Sequence, residues 1–147
     1  WDIKSRIGYI SPEMHLYFNT MSDVVSMVAQ GLNNTIGDFR VVTPAQKQEA
    51  MRWLKILHIE HLAEHRFNTL STGEQRLALL ARTFIKQPQL LILDEPLHGL
   101  DMARKRSVRA IINRLVARDG LTLIYVTHYL SEVPDCVTHT KTLERKA

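Results

Sequence analysis

At 147 residues the chain has the length of one domain, and its 45% hydrophobic and 23% charged content is that of an ordinary globular protein. A net charge of +4 permits contact with nucleic acid or anionic lipid without arguing for either, and the one cysteine, Cys136, excludes a disulfide framework and suits a reducing compartment. The apolar runs are far too short to span a membrane, and the chain shows no secretion signal.

In chain order, Arg6-Ile7-Gly8-Tyr9-Ile10-Ser11 reads as a short strand that Pro12 interrupts. From about Ser22 to Leu32, apolar Val24, Val25, Met27, Val28 and Leu32 make a helix-like stripe. Asn33-Asn34-Thr35-Ile36-Gly37-Asp38 is a turn-rich break. Thr43-Pro44-Ala45-Gln46 opens a helix, with Thr as N-cap, Pro at the first helical position and Gln three after the cap. That helix buries Ala50, Trp53, Leu54 and Leu57. After a short segment from Ile59 to Phe67, Ser71 with Glu74 spells a second capping box. The next helix runs from Gln75 to Lys86, with apolar Leu77, Leu80, Ala81, Phe84 and Ile85 on one face.

From Leu90 the pattern becomes α/β. Leu90–Leu93 is a buried strand ending in Asp94 and Glu95. A helix follows from about Asp101 to Arg118, burying Val108, Ile111, Ile112, Leu115 and Val116, with Gly120 as its stop. Leu121–Val126 is a second buried strand closed by Thr127-His128, and Asp135 to Leu143 predicts a final strand. Two strands flanking a helix predict a right-handed parallel crossover.

Chemistry concentrates at element ends. A strand delivering Asp94 and Glu95 to a sheet rim suits one Mg²⁺ ligand and one group polarising water. Ser71 caps a helix whose amides and dipole can face a phosphate, and Gly73 lets the backbone approach. Asp101 reads as an N-cap, and His128 sits where a strand end meets a ligand. None of the six glycines is followed by Lys and no two lie five apart, so these residues hold no G-x-x-x-x-G-K phosphate loop.

Leu70-Ser71-Thr72-Gly73-Glu74-Gln75 followed by Leu90–Pro96 resembles the signature and Walker B motifs of ATP-binding-cassette (ABC) ATPases. Thr72 and Glu74 stand where that family has Gly and Gln. Pro96–Asp101 resembles the family's interface loop, and Tyr125-Val126-Thr127-His128 its switch histidine. Ile7–Glu13 resembles the strand leading to the Q-loop, whose Gln falls on Pro12. The resemblance implies a partial P-loop NTPase core of parallel strands plus an α-helical signature subdomain. Its divisions are 1–11 as the end of the Q-loop strand, 12–87 as the helical subdomain and 88–147 as the rear of the core.

The same resemblance implies ATP and Mg²⁺ as cofactors. Glu95 and His128 become catalytic, and Asp94 the Mg²⁺ ligand. Ser71, Thr72, Gly73, Glu74 and Asp101 meet ATP at a dimer interface, while Glu13 or Ser11 stands in for the missing Q-loop amide. The expected setting is an excised C-terminal portion of a longer protein, inactive alone. Trp1-Asp2-Ile3-Lys4, Ser11–Leu16 and Gln75–Arg82 are similar to the C-terminal cassette of bacterial tandem molybdenum-transport ATP-binding proteins of the photorepair type. That implies a cytoplasmic protein with a second cassette as partner, docked on a membrane permease at the inner face of the cell membrane. No residue pattern here is a molybdate site.

Two alternatives carry different chemistry. A non-transport ABC ATPase acts on nucleic acid or ribosomes, and Pro12 keeps that reading open. His61-Leu62-Ala63-Glu64-His65 matches H-x-x-E-H, with His58 as a further imidazole, and on a helix His61 and His65 would share a face for zinc. Arg104, Lys105, Arg106, Arg109, Arg114 and Arg118 read as the solvated side of an amphipathic helix.

Overall fold

The computed structural model describes residues 6–18, 21–33 and 42–145. Trp1–Lys4 and most of the turn-rich stretch at 33–38 lie outside them. Three parallel strands form one sheet in the order β1 (Ile7–Ile10), β2 (Leu90–Asp94), β3 (Thr122–Val126). Ile7 pairs with Leu90, and Leu90 with Thr122, so the carboxyl ends of β2 and β3 finish side by side at Asp94 and Val126.

Four α-helices accompany this sheet among the described residues, and local signals start and stop them. The side chain of Asp23 accepts the Ser26 N–H at 2.8 Å to open α1 (Val24–Ala29), which tightens into a 3₁₀ turn over Gln30–Asn33. The helix expected to reach Leu32 is thus α-helical for only six residues. Helix α2 (Pro44–Ile56) has the full reciprocal capping box of Thr43 and Gln46. Helix α3 (Thr72–Ile85) has half of one: Ser71 Oγ accepts the Glu74 N–H at 3.2 Å, without the return bond from the Ser71 amide to the Glu74 carboxylate. Helix α4 (Met102–Asp119) starts on Asp101 and stops at Gly120, whose φ of +60° suits the residue without a Cβ.

Helix α3 is the axis of the core. Every residue from Arg76 to Ile85 is buried, where the sequence predicts a one-sided apolar stripe. Helices α1 and α2 pack on one side of it and β1 on another, so no face is left for water. Its buried polar groups find partners within the helix and across to other elements. Thr83 Oγ1 donates to Leu79 O at 2.9 Å, and Arg82 Nη1 donates to Met27 O at 2.7 Å with its guanidinium 4.9 Å from the Phe18 ring. Burial lowers the Arg82 pKa to about 10.

Two predicted features are corrected. Strand β3 is not buried on both faces: its residues alternate between half-buried and exposed, with Ile124 and Val126 nearly half exposed. It lies at the edge of the described sheet, and Leu123 and Tyr125 pack against the core from its other face. The segment Asp135–Leu143 forms no strand: among the described residues no strand pairs with it. A turn at Asp135–Cys136 and chain without regular secondary structure take its place.

Candidate functional site

At the carboxyl end of β2 the chain turns sharply, and Glu95 adopts φ +48°. This left-handed conformation costs a non-glycine residue roughly 1–2 kcal/mol. Bonds on both sides hold it there. The Glu95 N–H donates to Val126 O at 2.9 Å, and Glu95 Oε1 accepts the His128 N–H at 2.8 Å. The His128 ring lies against the same oxygen, with Nε2 3.5 Å away. The glutamate side chain is only 12% exposed and the imidazole 86%. A mostly buried carboxylate and an exposed imidazole therefore share the rim where parallel sheets bind ligands. Oε2 takes no hydrogen bond from the described residues, which leaves it open to a water.

The structure joins a second pair of predicted segments. A side chain at Gly73 would place its Cβ 3.0 Å from Gly99 O, so the first turn of α3 lies directly on the loop Pro96–Asp101. The close approach that Gly73 permits is therefore to this carbonyl. Gly99 takes φ +83°, and Leu97 anchors the loop with no exposure at all. Asp101 caps α4 with Oδ1 while Oδ2 lies 3.8 Å from Arg104 Nε. Among the described residues no hydrogen bond or ion pair links Ser71–Glu74 with Glu95 or His128, so the chain presents two separate clusters.

Two supporting side chains have no signal in the sequence. The first is Glu132, a buried carboxylate beyond the histidine. Its Oε1 accepts from Lys105 Nζ at 2.5 Å, its Oε2 lies 3.5 Å from Thr127 Oγ1, and its backbone oxygen accepts from Tyr125 OH at 2.9 Å. Arg109 Nη1 donates to Ser131 O. Lys105 and Arg109 are therefore not simply solvated, as the helix pattern predicts; they pin the turn after His128 to α4. Burial, and next the Glu132 charge, push the Tyr125 hydroxyl pKa well up, against a smaller opposing pull from Arg109. The second is Arg76, buried in α3 and donating to Ser11 O and Pro12 O. No local pattern announces either residue, since their partners lie 27 and 65 positions away.

The imidazoles of the zinc reading do not share a helix face. His58 sits beyond the end of α2 at φ +59°, His61 in a 3₁₀ turn and His65 in a bend. Among the described residues no group of three or more His, Cys, Asp or Glu side chains is arranged to hold a metal.

Comparison with known proteins shows the family. The family described as ABC transporter matches residues 2–98, which contain β1, α1, α2, α3 and β2. The chain belongs to the ABC transporter family. Among ABC relatives, it is 39% identical to the ABC transporter ATP-binding protein ModF of Escherichia coli over 95% of this chain and 29% of that one. It is 33% identical to the molybdenum import ATP-binding protein ModC of Pseudomonas syringae pv. tomato, over 96% of this chain and 37% of that one. With the zinc import ATP-binding protein ZnuC 1 of Aliivibrio fischeri it shares 32% over 86% of this chain and 45% of that one. An ATP-binding cassette solved as a dimer, in a post-hydrolysis state bound to ADP and Pi, superposes with a TM-score of 0.73 at 22% identity, covering 88% of this chain and 55% of that one. The fold is thus the ABC-type α/β P-loop NTPase fold, and the chain spans less than half the length of these curated ABC relatives.

Proposed function

We infer that this chain is the signature subdomain and rear core of a cassette whose complete protein binds and hydrolyses ATP. The observation that carries the reading is the Glu95–His128 pair, held at the carboxyl ends of adjacent parallel strands in an ABC family member. The donor set fits Mg²⁺ and ATP in part: Asp94 ends β2 at the rim, half-buried and ready to hold the ion, while these 147 residues contribute no phosphate-wrapping glycine loop. When bound, the ion neutralises phosphate charge. Glu95 Oε2 orients and deprotonates the attacking water, and the exposed His128 ring reaches a γ-phosphate. The first turn of α3, from Ser71 to Glu74, and Asp101 serve an interface with a second cassette, which supplies the other half of a nucleotide site.

In this reading residues 12–87 form the helical subdomain and 88–147 part of the core, with β1 joined to the core sheet. Glu13 and Ser11 follow β1 as the side chains closest to the missing Q-loop amide in sequence. The imported substances named for the relatives, molybdenum and zinc, support a role in energising transport, at the inner face of a membrane beside a permease. Among the described residues no helix is long and apolar enough to cross a membrane. The molybdenum-type assignment is the finer part of the proposal.

The test is Mg²⁺-dependent ATP hydrolysis by the complete protein. Glu95→Gln should cut turnover by about 10²–10⁴-fold while ATP binding persists, and the 147-residue chain alone should be inactive. Turnover indifferent to Glu95→Gln would assign the chemistry elsewhere.

A further inference from the structure

Arg76 is placed where three parts of the candidate machinery meet. It belongs to α3, five residues beyond the Ser71 cap, and is only 5% exposed. Its Nη1 donates to Ser11 O at 2.9 Å and its Nη2 reaches Pro12 O at 3.4 Å. Those carbonyls are the first two after β1. Each also serves the turn that follows: Ser11 O accepts the Met14 N–H at 3.2 Å, and Pro12 O faces His15 Nδ1 at 3.0 Å. A planar fork matches two neighbouring carbonyls, which a single ammonium does not. Burial disfavours the cation and the charge of Asp94 favours it, so the carboxylate at the end of β2 helps to keep this guanidinium charged.

Pro12 makes this arrangement consequential. It has neither an N–H nor a side-chain amide, so Pro12 can neither ligate a metal by its side chain nor donate to a neighbouring strand. Its carbonyl is what remains, and Arg76 shares it with His15. We propose that Arg76 is a positioning residue that locks the Ser11–Glu13 segment to the signature helix, so that the end of β1 and the first turns of α3 move as one body. The effect on turnover rests on the ATPase reading above; the lock itself does not.

The experiment uses the complete protein with Arg76→Met and Arg76→Lys, and two readouts. In the first, hydrogen exchange of the Glu13–Tyr17 amides should accelerate about tenfold or more in Arg76→Met, the scale of losing a charge-assisted bond. Protection of Leu77–Ile85 should persist. Arg76→Lys, which keeps the charge and loses the fork, should fall between. In the second, kcat for ATP hydrolysis should fall about tenfold in Arg76→Met with less than a threefold change in KM, and Lys should restore part of it. Unchanged exchange at Glu13–Tyr17 overturns the lock. Faster exchange with unchanged kcat overturns the positioning role. If the unsubstituted protein hydrolyses no ATP, the ATPase reading fails while the exchange comparison still decides the lock. Should Arg76→Met not fold, exchange in Arg76→Lys decides the lock alone: faster exchange at Glu13–Tyr17 supports it and unchanged exchange overturns it.

Discussion

Helix α3 and strand β3 are both rich in apolar residues, yet one is enclosed and the other is open. From Arg76 to Ile85 no residue of α3 is exposed, and even its arginines are inside. Strand β3 keeps Ile124 and Val126 nearly half exposed. Composition does not separate them; their neighbours do. Helix α3 packs against α1, α2 and β1, whereas β3 lies at the edge of the sheet that the described residues form. The two regions then serve the site differently. The enclosed helix carries the Ser71–Glu74 turn and Arg76. The open strand delivers an exposed imidazole to a rim where a ligand can arrive.

The largest expected effect separates the two regions directly. Leu80 is fully buried in α3, so Leu80→Ala removes buried methyl groups and leaves a cavity, at a cost of about 3 kcal/mol. Ile124→Ala on the open face should cost less than about 1 kcal/mol. Urea unfolding of both variants measures the difference. Equal losses would break the comparison, because they would mean that the open face of β3 is covered in the protein as tested.

The contrast also explains which features are legible in the sequence. The starts at Thr43 and Asp101, the stop at Gly120 and the strand ending in Asp94-Glu95 are legible because each signal is contained within a few residues of the feature it controls. The pairing of Glu95 with His128 is legible as two strand ends but not as a hydrogen bond, since register fixes it. Enclosure of α3 is not legible, because the pattern reports which residues are apolar and not how many sides are occupied. The same limit produces the false strand at Asp135–Leu143: its residues tolerate an extended conformation, but a ladder needs a neighbour. Lys105 looks like surface charge because Glu132 lies too far along the chain to be paired with it by inspection.

That ion pair gives the intermediate effect. Lys105→Met strands the Glu132 carboxylate, whose side chain is 10% exposed, without its cation. The loss should be about 2 kcal/mol, read by urea unfolding. A sharper sign is in the turn after His128: exchange at the Glu132 and Val133 amides, which close that turn, should speed up. A loss confined to stability, with the turn still protected, would show that Arg109 and Tyr125 hold the turn without the ion pair.

The smallest effect lies on the solvated side of α2, where Arg52 pairs with Glu49 at 2.7 Å. The hydrogen bond from Arg52 and its charge hold the Glu49 carboxyl below its usual 4.5, against the opposing effect of partial burial. Because the folded value is depressed, the stability this pair adds is fully present above about pH 4.5 and disappears as the pH falls through the folded pKa. Both side chains are well exposed, at 52% for Arg52 and 36% for Glu49, so screening limits the gain to a few tenths of a kcal/mol, about 0.3–0.5. Arg52→Met should return the Glu49 titration to its ordinary range in an NMR pH series. The guanidinium also lies 5.5 Å from the Trp53 ring centroid, a contact that does not depend on pH in this range. The difference in unfolding free energy between wild type and Arg52→Met should therefore shrink on acidification without vanishing. The part that disappears belongs to Glu49, and the part that remains belongs to the packing of Arg52 over Trp53 at the margin of the enclosed core.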